Sequence, residues 1–448
     1  MLALLVLCTS LAASAGRDLE ALAPRGPGTS AGPQAPGDGR LPPIESLQIH
    51  IEGAGATRPG AVLRLMSTRV GATFDAGTLA GDLDRLRSLG ILYDLSASAA
   101  DGGRRIEVTV KDRWSLLPVF GLRRGGGRTT ARFGATDHNA LGQLMTLYAE
   151  LSSNATIPFS DGRFGSYVYA EVPRVFGTRF RTALYWTRDF IDYAAFDANG
   201  VHGYLYDRSR HDLRFDLRYE LTDLLSLSFG GDFLHDRAST SSASRGPGSP
   251  PPPVDDAAAV IGLQLGVVQN LLSQSSGQDL SLQVSGSRAG VLGTSGGAVS
   301  FGAVARGYFL PAPRHNTCVQ LALQGTTGRS DSYLFRAGGL REIRGFSDGT
   351  FSGQLLLRGN LEHRVDLFRL NLVVPAVVQA AAFTDAGYVK GRADAVAGMT
   401  YEGPILGTGA GMRWIPVPFA SVVGRIDLAM GLVPRRTFDL SLSGQQFF

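Results

Sequence analysis

The stretch "LRFDLRYEL", residues 213–221, alternates without interruption. Leu213, Phe215, Leu217, Tyr219 and Leu221 fall on one face, and Arg214, Asp216, Arg218 and Glu220 on the other. Successive side chains of a strand point to opposite sides, so this is a strand with one apolar and one charged face. "LSLSFGGDF" at 225–233 repeats the design, setting Leu225, Leu227, Phe229 and Phe233 against Ser226, Ser228 and Asp232. Segments of the same period occur at 180–188, 279–285, 353–363, 376–388 and 438–446. A soluble two-sheet sandwich also alternates, but it rarely carries aromatics on so many strands. Apolar-out and charged-in alternation over about ten residues is the pattern of a membrane β-barrel.

Residues 115–448 divided among about sixteen strands leave roughly 21 residues per strand and connection, enough for membrane strands of about 9–11 residues. The polar run "ASTSSASRGPGSPPPPVDD" at 238–256 reads as a long external loop between two strands. The expected fold is therefore a β-barrel membrane protein of sixteen antiparallel strands. A different pattern precedes it in residues 44–113. "SLQIHIEG" alternates as a strand, and Pro59 opens a helix. Asp75 caps a second helix bearing Leu79, Leu83 and Leu86, which Gly90 stops. "LYDLSASA" and "RRIEVTVKD" are two more strands joined at "ADGG". The order is β-α-α-β-β, a small α/β domain.

The chain begins "MLALLVLCTSLAASAG", apolar and ending in the small-x-small pattern Ala13-Ser14-Ala15. This predicts a signal peptide over residues 1–15, too short to span a bilayer. Leu7 before Cys8 argues against a lipoprotein signal. Residues 16–43, rich in Gly, Pro and Ala, predict a disordered linker. Removing the signal leaves Cys318 alone, which excludes an internal disulfide and a cysteine metal cluster. Charged residues make up 18% of the chain, below the soluble norm, and lysine occurs only at Lys111 and Lys390. The net charge of +4 is spread as scattered arginine rather than in basic patches interleaved with aromatics, which points away from nucleic acid.

Several motifs follow one another in the barrel region. They are "GATDHNALGQ" (134–143), "FRAGGLREIRGF" (335–346), "FTDAG" (383–387), "GTGAGMRW" (407–414), "VGRIDLAMGL" (423–432) and a terminal "FDLSLSGQQFF" (438–448). In this order they resemble the BamA/TamA-type outer-membrane assembly family, the bacterial surface antigen barrels with a POTRA module. "LDRLRSLGILYDLSAS" (83–98) is similar to the helix-glycine-aromatic-strand stretch of a POTRA domain. The resemblance implies a POTRA-like periplasmic domain at 44–113 and an outer-membrane barrel at 114–448. It also implies that the Arg-Gly-aromatic tip of an external loop folds back onto the Phe-x-Asp-x-Gly strand, and that the terminal strand carries an insertion signal. One POTRA-like unit is legible, where BamA and TamA carry several.

The residues themselves support the first pairing. At period two, Phe383, Asp385 and Gly387 share a face, and an aspartate on the lipid face is costly, so Asp385 points into the lumen. Arg344 offers a planar fork for a bidentate pair worth about 1.5–3 kcal/mol. Gly345 permits a bend after it, Phe346 has an inner wall to pack on, and Gly387 leaves room for close approach. At the terminus, Gly444 loosens the last strand, and Phe447 and Phe448 suit an interfacial belt. That strand is expected to close on the first, around Trp114–Leu122.

Other chemistries find no support. The glycines of "GTGAGM" lack a strand-to-helix context for a dinucleotide, the seven histidines show no metal spacing, and no G-x-S-x-G elbow occurs. "PPPP" at 250–253 reads as a loop spacer. The expectation is a non-enzymatic factor with no cofactor and no metal. It would handle unfolded outer-membrane or secreted proteins in outer-membrane lipid, with periplasmic or lipoprotein accessory subunits as further partners. The alternatives are a two-partner-type secretion pore for one protein, a lipid-handling barrel and a passive channel.

Overall fold

The computed structural model describes residues 43–53, 56–125, 128–155, 164–196, 202–222, 224–240, 250–271, 273–339, 342–346, 349–371, 375–391, 401–416 and 423–443. The expected signal peptide and nearly all of the linker, through residue 42, lie outside them, as do Gly444, Phe447 and Phe448 of the terminal signal.

The N-terminal module is built from β1 (Ser46–Gly53), α1 (Pro59–Leu65), α2 (Ala76–Ser88), β2 (Leu92–Ala100) and β3 (Arg105–Asp112). Its sheet runs β1-β3-β2, with β3 parallel to β1 and antiparallel to β2. Asp75 caps α2 by accepting from the Gly77 and Thr78 amides and the Thr78 hydroxyl. Those bonds, the hydroxyl's first, hold the Asp75 carboxyl below its usual range. The cap therefore contributes above the ordinary carboxylate pKa and is lost only as pH falls through the lowered value. Val62, Leu86, Ile106, Val108 and Val110 form the module core, each fully buried.

The barrel follows. Its first eight strands are β4 (Leu116–Gly125), β5 (Arg128–Ala140), β6 (Met145–Ala155), β7 (Gly165–Val172), β8 (Phe180–Phe196), β9 (His202–Glu220), β10 (Leu225–Thr240) and β11 (Val254–Leu271). β12 (Gln274–Gly286), β13 (Val299–Phe309) and β14 (His315–Thr326) lead to a long loop holding the short pair β15 (Phe335–Ala337) and β16 (Phe351–Gly353). β17 (Leu355–Asn371), β18 (Pro375–Lys390), β19 (Gly403–Pro416), β20 (Gly424–Val433) and β21 (Thr437–Ser443) complete it. Sixteen strands form one antiparallel sheet ordered from β4 to β21, with β14 beside β17. β4 and β21 lie next to each other, yet among the described residues no ladder joins them.

Three boundaries differ from the sequence reading. The first barrel strand starts at Leu116, and Trp114 stays outside it because its indole N–H turns back to the Leu116 carbonyl. Gly353 belongs to β16, so the alternating 353–363 segment breaks at Gln354. β10 and β11 extend to Thr240 and from Val254, taking both ends of the expected 238–256 loop into strands.

The outer face of the barrel is apolar: Phe120, Phe133, Phe215, Phe229, Ile261 and Leu428 all stand exposed. A belt of that extent in water would aggregate, whereas facing lipid it is at home. Among the described residues no helix is long and apolar enough to cross a membrane.

The module is clamped to the barrel by two short turns at one end. At the end of β5 and in the turn after it, the Asn139 amide donates to the Thr57 hydroxyl (2.7 Å), its oxygen accepts from the Leu144 N–H (2.9 Å), and Gly142 O accepts from Arg58 N (2.9 Å). Leu144 itself is buried in the module core. In the turn after β7, Arg174 donates to the last carbonyl of α1, Leu65 O (2.9 Å), and pairs with Glu220 (3.2 Å). Asn139→Ala leaves the Thr57 hydroxyl and the Leu144 amide short of a partner, a cost of about 1–3 kcal/mol at a buried site. Amide exchange in β1 and α1 is expected to quicken markedly in this variant; an unchanged exchange pattern would show that the turn does not hold the module.

Candidate functional site

The long loop between β14 and β17 rises on the β15–β16 pair and then turns back into the barrel. Its tip, Ile343, Arg344 and Phe346, is at most 2% exposed. Gly345 makes the turn with φ +91°, a left-handed value that disfavours any side chain.

Arg344 meets Asp385 of β18 three times. Its backbone N–H donates to Oδ2 at 3.0 Å, its Nε to the same oxygen at 2.6 Å, and its Nη2 to Oδ1 at 2.8 Å. The guanidinium carbon lies 3.5 Å from the centroid of the Phe383 ring, so the arginine is held by a carboxylate on its edge and a π-face beneath it. Asn360 of β17, directly opposite Asp385 in the ladder, donates to Asp385 Oδ1 (2.9 Å) and to the Glu342 carbonyl of the loop (2.7 Å).

The site extends beyond this pair. Arg344 Nη1 also donates to Glu362 of β17, which is fully buried and accepts from Arg364 Nε (2.7 Å) and Arg413 Nη2 (3.1 Å) as well. Arg413 of β19 continues to Asp427 of β20, which also accepts from Arg425. The loop tip is thus one end of a buried chain of alternating charges on four neighbouring strands. Desolvating so many ions is offset only by pairing them, and removing one member strands the others.

The tip rests where the wall has no side chains. A Cβ at Gly407 would sit 2.1 Å from Arg344 O, and one at Gly431 would sit 2.5 Å from the Phe346 ring. At Gly387 it would meet Ile343 Cδ1 at 2.5 Å. Phe346 stacks edge-on against Phe351 at 5.1 Å, and the Thr437 hydroxyl of β21 donates to Gly345 O. The loop therefore touches β17 through β21, the last described strand, which lies beside β4.

Of the residues singled out in the sequence, Arg344, Gly345, Phe346, Phe383, Asp385 and Gly387 come together here. Missed were Glu362, Asn360, Arg364, Arg413 and Asp427, and the cradle glycines Gly407 and Gly431. The motifs "GTGAGMRW" and "VGRIDLAMGL" contained Gly407, Arg413, Asp427 and Gly431 as strand-face alternation, but nothing in their spacing named their common neighbour. A polar lumen cavity of about 370 Å³ lies beside the loop stalk, lined by Arg214, Asp232, Ser281, Gln283 and Tyr333 among others. Among the described residues no cluster of His, Cys, Asp or Glu is disposed to hold a metal.

No family model and no curated protein sequence matches this chain. Solved structures do. BamA from Haemophilus ducreyi lacking POTRA domains 1–3 aligns over 90% of this chain and 85% of its own, with 16% identity and a TM-score of 0.55. CdiB from Acinetobacter baumannii aligns over 90% and 73%, with 15% identity and a TM-score of 0.58. CdiB from Escherichia coli aligns over 94% and 93%, with 14% identity and a TM-score of 0.57. At these identities the likeness is one of fold.

Proposed function

We infer, from a sixteen-stranded barrel fold shared with BamA and CdiB, that this protein is an outer-membrane factor that receives unfolded polypeptides and inserts or passes them by way of its barrel. The module, read as POTRA-like, stands on the periplasmic side and takes up the arriving chain. The loop tip is read as a lock, with Arg344 and Asp385 as its bolt. Gly345 and Phe346 seat the tip, and Phe383 and Gly387 receive it.

The observation that carries this reading is that, among the described residues, no ladder joins β4 to β21 although the two strands lie side by side. A strand edge without a ladder is a template on which another strand can add. β21 is also the strand whose Thr437 holds the loop tip, so the lock and the edge share an element. The terminal residues Gly444, Phe447 and Phe448, read as the end of a targeting signal, follow β21 in the sequence. The partners of the reading are unfolded outer-membrane or secreted proteins and outer-membrane lipid, with accessory subunits supplying what one module lacks. The module argues against a plain channel, which needs none, and the occupied lumen argues the same way.

Depletion of the protein followed by an outer-membrane proteome tests the reading. Broad loss of barrel proteins is the expected result. Loss of a single exported protein would assign it instead as a dedicated two-partner-type secretion pore, and an unchanged proteome would refute both.

A further inference from the structure

The β11–β12 hairpin leaves the barrel wall at the module end. Ladder pairing of β12 with β13 begins only at Gly277, while β12 continues past that point to Gln274, still paired with β11. Gly266 and Gly277 stand at the bend on the two strands, both at φ +105°. A Cβ at Gly266 would sit 2.2 Å from Gln278 O, and one at Gly277 2.3 Å from Val267 O, so the bend admits glycine alone.

The bent hairpin reaches lumen-facing side chains on strands well beyond its ladder neighbours. Asn316 of β14, fully buried, accepts from the Ser275 N–H (3.2 Å) and donates to the Ser275 carbonyl (2.8 Å). Gln379 of β18, also fully buried, donates to the Ser273 carbonyl (2.7 Å). Asp366 of β17 accepts from the Ser273 hydroxyl (2.8 Å) and from Gln379 Nε2 (2.6 Å).

Three of these contacts read main chain. A strand residue turned to a neighbour presents its N–H and C=O together, and Asn316 reads Ser275 of β12 in that way, while Gln379 reads the carbonyl of Ser273 in the turn between β11 and β12. Both carboxamides take main-chain groups, and such contacts do not depend on the side chains carried. One half of the site is unused: Gln379 Oε1 is buried and has no hydrogen-bond partner among the described residues. A buried acceptor left empty is costly, and a passing peptide N–H would fill it.

We propose that Asn316 and Gln379, the latter positioned by Asp366, form a binding site for the main chain of an extended polypeptide at the module end of the lumen, and that the β11–β12 hairpin is its built-in occupant. An arriving chain displaces the hairpin and takes over its hydrogen bonds, with Gln379 gaining the N–H it lacks. The proposal deepens the reading of this protein as a handler of unfolded chains and rests on it.

The test uses the full chain in detergent or nanodiscs, folded as judged by heat-shifted gel mobility. The probes are a fluorescent peptide copying residues 267–278 and a scrambled peptide of the same composition. In a Cys318→Ser background, Ser273→Cys with Asp366→Cys pins the hairpin when oxidised and frees it when reduced. Reduction is expected to tighten binding of both peptides about tenfold or more, since affinity scales with the fraction of open sites. Adding Gln379→Leu should weaken both again. Gly277→Ala unseats the hairpin without altering the site and is expected to raise binding in the same sense, which covers the case of a disulfide variant that does not fold. Binding that ignores both the disulfide and Gly277→Ala overturns the proposal, as does capture of the unscrambled copy alone. Peptide binding with an unchanged proteome on depletion would remove the assembly reading and leave the site. A changed proteome without peptide binding would do the reverse.

Discussion

Arg344→Ala is expected to lower the stability of the folded barrel by about 3–5 kcal/mol, the cost of stranding buried charge. The size of the effect follows from what the arginine touches. Its removal leaves Asp385 with only Asn360 among the partners described above, and takes from Glu362 one of three guanidinium contacts. Both carboxylates are fully buried, so water does not replace the lost donors. Urea unfolding of the refolded barrel measures the loss, and the heat-shifted band on gels should weaken in parallel. Arg344→Lys keeps the charge but not the fork, and is expected to recover only a minor part. A double-mutant cycle with Asp385→Ala separates the pair from the rest of the chain of charges. A coupling near zero would show that the Arg344–Asp385 contact is not what secures the loop.

Gly407→Val is the second large effect, and it changes no charge. The new Cβ would overlap Arg344 O at 2.1 Å, a backbone atom of a tip whose next residue, Gly345, is already pressed against β20. A Cβ at Gly345 would itself lie 2.4 Å from the Gly431 nitrogen, which measures how close that contact is. The tip has to lift, and lifting it pulls Arg344 off Asp385. Opening of the lumen is the expected outcome, seen as conductance across a planar bilayer that the wild-type barrel lacks, together with protease cleavage in the 327–354 loop. Gly407→Ala should act in the same direction more weakly. A closed, protease-resistant barrel carrying valine at 407 would mean that the tip is not seated in the glycine cradle.

The alternation in "LRFDLRYEL" was enough to reach a barrel, because lipid outside and charge inside impose period two on each strand. The β-α-α-β-β order of the module was equally legible, since Asp75, Gly90 and the leucines at helical spacing are local signals. Arg344 and Asp385 emerged from motif order, not from spacing. Glu362 did not emerge at all. An inward glutamate on one strand looks like any lumen carboxylate, and its arginines come from register across β17, β19 and the loop, which local pattern does not encode. The hairpin at 267–277 was silent for a related reason. No local motif marks it, and only the side chains of Asn316 and Gln379, far along the chain, show that it bends away from the wall.

The clamp between module and barrel has a mechanical consequence. Asn139 lies at the end of β5, Gly142 and Leu144 sit in the turn joining it to β6, and among the described residues β5 is the one ladder partner of β4. The module is therefore a lever arm whose fulcrum lies one strand from the junction of β4 and β21. Torque applied to the module by a captured chain is delivered to β5, and through it to the edge of β4, while the far edge at β21 is held by the loop tip. Tilting one edge against an anchored other is a way to wedge a cylinder apart without unfolding it.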